Sequence, residues 1–133
     1  MVGDDKIVKT NVVIWVLRIV PAVIFLQTLF FKFTASEESV FIFSKLGMEP
    51  YGRIGSGIAE LIAAILILIP RTTLYGAVLG MGILGGAIIS HIFVLGIEVK
   101  NDGGLLFALA ILSFICCLML AFRHRTGLRH NTK

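Results

Sequence analysis

Residues 53–69 read RIGSGIAELIAAILILI, residues 70–73 read PRTT, and residues 74–95 read LYGAVLGMGILGGAIISHIFVL. Crossing the hydrocarbon core of a bilayer takes about 20 predominantly apolar helical residues, and both long blocks approach or meet that length. Four residues opening on Pro70 leave room only for a tight turn, so the blocks form an antiparallel hairpin of membrane helices. Glu60 and His91 interrupt the apolar pattern, one on each arm.

Two further apolar stretches flank the hairpin. The first span runs from about 12 to 33 and carries Arg18, Pro21, Gln27 and Lys32. A cleaved signal peptide is the competing and less favoured reading, because the stretch is long for one and contains an arginine. The fourth span runs from about 103 to 122, has almost no polar side chains, and is expected to be the most lipid-exposed. Residues 35–47 read as a short interfacial helix. A capping box at Thr34-Ala35-Ser36-Glu37 starts it and Gly47 stops it. Glu37, Glu38, Ser44 and Lys45 are expected on one side, with Val40, Ile42, Phe43 and Leu46 on the other. The fold class is therefore all-α: an integral-membrane four-helix bundle in one domain spanning 1–133, with a basic tail at 123–133.

Composition agrees. The 133 residues are 57% hydrophobic and 15% charged, with a mean hydropathy of +0.97, whereas soluble domains are nearer half apolar and a quarter charged. Much of the net charge of +4 sits in Arg123, Arg125, Arg129 and Lys133, directly after an apolar stretch. Such a tail points to anionic lipid head groups, not to nucleic acid. With four spans, the termini and the turn at Arg71 share one side, which holds Lys6, Lys9, Arg71, Arg123, Arg125, Arg129 and Lys133. The other side holds Lys32, Lys45, Arg53 and Lys100. Seven against four places both termini in the cytoplasm.

Charges at mid-bilayer cost about 2.5–3.5 kcal/mol each on insertion scales. Arg18 lies roughly 6 Å to the cytoplasmic side of its span's centre and Glu60 close to the centre of the second span, at about 1.5 Å per residue. An Arg18–Glu60 pair is thus allowed, either as glue between helices or as glue that also lines a site. Lys32 falls on roughly the same face as Arg18 and is expected to snorkel to the outer head groups, while Gln27 faces the opposite way. Glu60, Lys32 and His91 all fall in the outer half of the bilayer. The sharpest site this pattern supports is a polar cavity there, serving as a ligand or proton site, with Arg18 adding charge.

The third span holds two small-residue pairs, Gly76 with Gly80 and Gly82 with Gly86, at a spacing that lets backbones approach closely. Their partner, a span of the same chain or another subunit, is open. Cys116 and Cys117 are adjacent, point about 100° apart on a helix and read as packing residues. The sequence shows no haem-ligand pair, metal-ligand cluster, nucleophile motif or phosphate loop. No intrinsic cofactor, catalytic residue or metal site is expected, and the chain does not read as a self-contained enzyme.

The chain resembles the DoxX-like family of small four-span membrane proteins over roughly residues 13 to 122. The resemblance is carried by Arg18, Phe25 and Lys32, then Leu46-Gly47-Met48-Glu49-Pro50, then Gly57-Ile58-Ala59-Glu60-Leu61 continuing through Leu66 and Leu68 to Pro70-Arg71. His91 stands where many relatives have a histidine. The resemblance implies a four-helix bundle in a bacterial cytoplasmic membrane. It also implies a role like that of the best-known members, subunits of a thiosulfate:quinone oxidoreductase or of a redox complex that defends against oxidative stress, with quinone as ligand. Animal proteins with a similar core resemble assembly factors for receptor channels. The cysteine pair of the thiol-redox relatives is absent here.

Two functional expectations follow. One is an accessory or quinone-interacting subunit of a membrane oxidoreductase, with a partner subunit or a homo-oligomer. The other is an assembly or binding module without redox chemistry.

Overall fold

The structure is a computed structural model that describes the backbone of residues 2–98 and 103–131 and the side chains of 9–98 and 103–125. Lys100 and Lys133, and the side chains of Lys6 and Arg129, lie outside the described residues.

Among the described residues all regular structure is helical, with five α-helices: α1 (Val2–Phe33), α2 (Glu37–Lys45), α3 (Tyr51–Leu68), α4 (Thr73–Ser90) and α5 (Leu105–Asn131). A 3-10 turn, Pro70–Thr72, joins α3 to α4, and a π turn, His91–Leu95, continues α4. Four helical segments are long and apolar enough to cross a membrane: Lys9–Phe33, Tyr51–Leu68, Pro70–Leu95 and Leu105–Arg125. α5 does not stop at Phe122 but continues to Asn131, so the basic segment starts as helix.

Each long helix packs on two neighbours, in the ring α1–α3–α4–α5. Small buried residues bring them together: Ala63 and Ala64 on α3, Ala77 and Gly80 on α4, Ser113 and Cys117 on α5, with Phe25 and Leu120 filling the remaining space. Between apolar helices in lipid, this close van der Waals contact is the main source of association. Outward-facing Val23, Phe30, Ile62, Val78 and Phe122 remain exposed, as lipid contact requires. The fourth span is not the most lipid-exposed. Its apolar window is 28% buried against 22% for the third, because α5 presents Ala110, Ser113, Cys116 and Cys117 inward while α4 turns glycines to open space.

The ends of α1 and α2 have a common design. In α1, Ala35 takes a left-handed φ of +53°, and the Ser36 and Ala35 amides donate to the carbonyls of Phe31 and Lys32 at 3.0 and 3.3 Å. In α2, Gly47 takes φ +74°, and the Met48 and Gly47 amides donate to Phe43 and Ser44 at 2.8 and 3.1 Å. Both are Schellman closures, which satisfy carbonyls that would otherwise lack partners. The cap of α2 is Ser36, whose hydroxyl accepts from the Ser39 amide at 3.2 Å. The expected cap, Thr34, instead donates its hydroxyl to the Phe30 carbonyl at 2.7 Å and so belongs to the end of α1. α2 contacts α1, α3 and the π turn. It buries Ser39 and Phe43 and leaves Glu37, Ser44 and Lys45 exposed, so it crosses one end of the bundle as a cover.

Candidate functional site

Lys32 ends α1 beside the start of α3. A Cβ on Gly57 would meet the Phe33 ring at 2.9 Å, so the two helices touch there. That contact sets the register and places Glu60 one turn deeper. Lys32 Nζ reaches down to Glu60 Oε1 at 2.6 Å and also donates to Ser56 Oγ at 3.0 Å. The expected snorkelling does not occur. α2 covers this end of the bundle, and the ammonium lies 5.3 Å from the Phe43 ring, with only 13% of the Lys32 side chain exposed.

The Arg18–Glu60 pair is overturned by the same register. From the Phe33–Gly57 contact, Arg18 lies about 18 Å further along the bundle than Glu60, at 1.5 Å per residue. Its guanidinium instead donates through Nη2 to His124 Nε2 at 3.2 Å and stands 4.8 Å from the Trp15 ring. His124 Nδ1 faces the Leu120 carbonyl at 3.0 Å and must donate to it, which leaves Nε2 as the acceptor that Arg18 needs. The middle of α1 thus meets α5 at Arg18 and His124, away from the α2 end. Gln27 is exposed, facing away from the bundle.

A cavity of about 470 Å³ opens among α1, α2, α3, α4 and the start of α5. Its walls are mostly apolar, with Phe25, Phe43, Leu84 and Leu109 among them; Lys32, Ser56, Glu60 and His91 are polar groups on its walls, and Thr28, Ser36, Glu38, Ser39 and Ser90 add to them. Glu60 and His91 therefore face one space, and Arg18 does not line it. His91 is buried and starts the π turn. Its Nδ1 donates to the Gly96 carbonyl at 3.0 Å, and its ring stands edge-on to Phe107 at 5.6 Å. In the neutral ring this leaves Nε2 as an acceptor. π turns recur at functional sites. Glu60 Oε2 is buried and has no hydrogen-bond partner among the described residues, which leaves an acceptor unsatisfied at a cost of about 1–3 kcal/mol.

Two groups went unrecognised in the sequence. Arg53, read there only as a charge at the start of the second span, is buried and holds Glu49 with Nε at 2.9 and 3.0 Å, while Nη1 donates to the Lys32 carbonyl. It thereby ties the end of α1 to the start of α3 just above the cavity. The four-residue spacing of Glu49 and Arg53 was the available signal. Nothing in the sequence marked His124 as the partner of Arg18. The four glycines divide. Gly76 packs on Leu66 and Ile67, and Gly80 packs on Cys117 and Phe25, so their partners are spans of the same chain; Gly82 and Gly86 meet nothing within 4 Å and line the cavity. Cys116 and Cys117 are free thiols.

Fold and site together define a multi-pass membrane protein of four spans, with a covered, mostly apolar cavity at one end and a buried ion pair in its wall. The chain belongs to the DoxX-like family, whose model matches residues 16–122. No curated protein and no solved structure matches it.

Proposed function

We propose that the chain is a quinone-interacting accessory subunit of a membrane oxidoreductase and that the cavity receives the quinone ring. The observation that carries this reading is the cavity's make-up. Pockets for small organic ligands measure about 300–1,000 Å³, with apolar walls and a few placed polar groups. This one has that size and pattern and lies within the apolar segments, where a lipid-soluble ligand is concentrated. When bound, a quinone supplies the electron-carrying ring. The chain's own residues position it. Lys32 has three ammonium donors and uses two on Glu60 and Ser56, so one is left for a ring oxygen. His91 Nε2 offers a second polar contact, and Phe25, Phe43 and Leu84 keep water from the ring. Electrons would come from a partner subunit.

An assembly module without redox chemistry would use open helix faces to hold client spans. Gly76 and Gly80 are already taken up within the bundle, and the open pair, Gly82 and Gly86, borders the cavity, so the assembly reading rests on that one exposed pair.

Mild extraction of the expressed chain, followed by mass spectrometry of retained lipids and proteins, tests the proposal. Quinone at near-stoichiometric amounts, reduced at least fivefold by Glu60→Ala in protein that still folds, is the expected result. Retention of varied membrane clients with no quinone would overturn it.

A further inference from the structure

The α3–α4 hairpin is closed at one end and open at the other. At its turn, a Cβ on Gly76 would meet the Ile67 backbone nitrogen at 2.6 Å and Leu66 Cβ at 2.8 Å, so the helices touch. Toward α2, Gly82 and Gly86 are exposed, and a Cβ on either would meet nothing within 4 Å. Both nevertheless line the cavity together with Ser56 and Glu60 of α3. Helical spacing fixes the side on which they open. At about 100° per residue, Gly82 and Gly86 lie past Gly76, the α3-facing glycine, as seen from Gly80, which faces α1 and α5. Gly85 turns the other way, toward Phe114 of α5. The cavity therefore runs out of the bundle between α3 and α4, along helices whose outer faces are apolar.

The second observation is the orphaned oxygen. Glu60 is only 5% exposed, Lys32 holds its Oε1, and Oε2 has no hydrogen-bond partner among the described residues; the Thr28 hydroxyl stands close to the carboxyl but turns back to donate to the Ile24 and Phe25 carbonyls at 2.8 and 3.0 Å. A carboxylate oxygen in an ion pair only accepts. It cannot hydrogen-bond a carbonyl, but it can receive a hydroxyl.

The geometry points to a hydroxyl-bearing amphiphile that enters from the bilayer through this window, gives its O–H to Glu60 Oε2 and lays its chain over Gly82 and Gly86. The inference rests on the cavity assigned above, and within that reading it names the quinol, not the quinone, as the form held. The bare glycine surface suits a chain because no side chain stands in its path. Ser90, one turn beyond Gly86, has its hydroxyl turned back to the Gly86 carbonyl at 2.8 Å and so presents little polarity to the window.

The test titrates the full chain in quinone-free nanodiscs, under anaerobic conditions, with four probes: a decyl-quinone, its quinol, 4-decylphenol and a tail-less quinol. The decyl-quinol and the phenol are expected to bind at least tenfold more tightly than the quinone. Gly82→Leu and Gly86→Leu, which add bulk in open space, are expected to weaken the decyl-quinol at least tenfold and leave the tail-less quinol within threefold. Equal binding of quinol and quinone, or glycine variants that do not touch the tailed probe, would overturn the inference and leave the quinone reading intact. Binding of the phenol but of neither quinone form would keep the hydroxyl assignment and sink the quinone reading. Binding of none of the four would overturn both.

Discussion

Glu60 sits in the middle of an apolar helix, and its neighbours explain how it is held there. A carboxylate removed from water needs a compensating charge and hydrogen bonds, and Lys32 supplies both from the end of α1. Breaking a buried pair by removing one partner strands the other, which typically costs about 3–5 kcal/mol. Lys32→Met or Glu60→Met should therefore each lower stability by that order, measured as unfolding in mixed detergent micelles. The double variant should lose clearly less than the two losses added. Arg18→Ala, far along the bundle, should combine additively with Glu60→Met, within about 0.5 kcal/mol. It should couple instead to His124→Ala. A strong Arg18–Glu60 coupling would contradict the register described here. The sequence identified the three charged residues but not their pairing. Arg18 and Lys32 have the same sign and share a helix face, and only the Phe33–Gly57 approach, a contact between two elements, selects Lys32.

At the scale of elements, the two glycine pairs of α4 look alike in sequence and behave differently in the fold. Gly76 abuts backbone across the hairpin, so even a methyl group there forces α3 and α4 apart. Gly82 has open space around its Cβ position. Gly76→Ala should lower stability by about 1–3 kcal/mol, the usual range for overpacking. Gly82→Ala should be neutral or stabilise by up to about 1 kcal/mol through helix propensity. Parallel unfolding curves for the two variants would decide the matter, and equal losses would mean that Gly82 is packed after all. The hairpin itself was legible, because the apolar runs and the Pro70 turn are local signals. The position of α2 was only half legible. Its helical character and its stop at Gly47 could be read, but its cap lies at Ser36 because Thr34 serves the preceding helix. Its role as a cover over the cavity depends on contacts with α1, α3 and the π turn that no local pattern records.

The orientation of the whole molecule is argued from its charges, and the fold changes their weight. Lys and Arg count toward orientation through the charge they offer near the ends of the spans. Of the four at the α2 end, Lys32 is neutralised by Glu60 and Arg53 by Glu49, both in partly or fully buried pairs, while Lys45 is exposed. At the terminal end, Lys9, Arg71 and Arg125 have no carboxylate bridge among the described residues, and Lys6, Arg123, Arg129 and Lys133 lie at the same end in sequence. With two of the four offset by carboxylates, the prediction is that both termini are cytoplasmic and that the α2-covered cavity lies toward the opposite face. In a Cys116→Ala/Cys117→Ala background, Gly3→Cys and His130→Cys should resist an impermeant thiol reagent in intact cells, and both should react once the membrane is opened. Glu98→Cys, on the exposed stretch after the π turn, should react in intact cells. The reverse pattern would invert the molecule and place the cavity on the cytoplasmic side. A partner delivering electrons to the α2 end would then have to be cytoplasmic, whereas the orientation argued here requires it to work from the opposite face or within the bilayer.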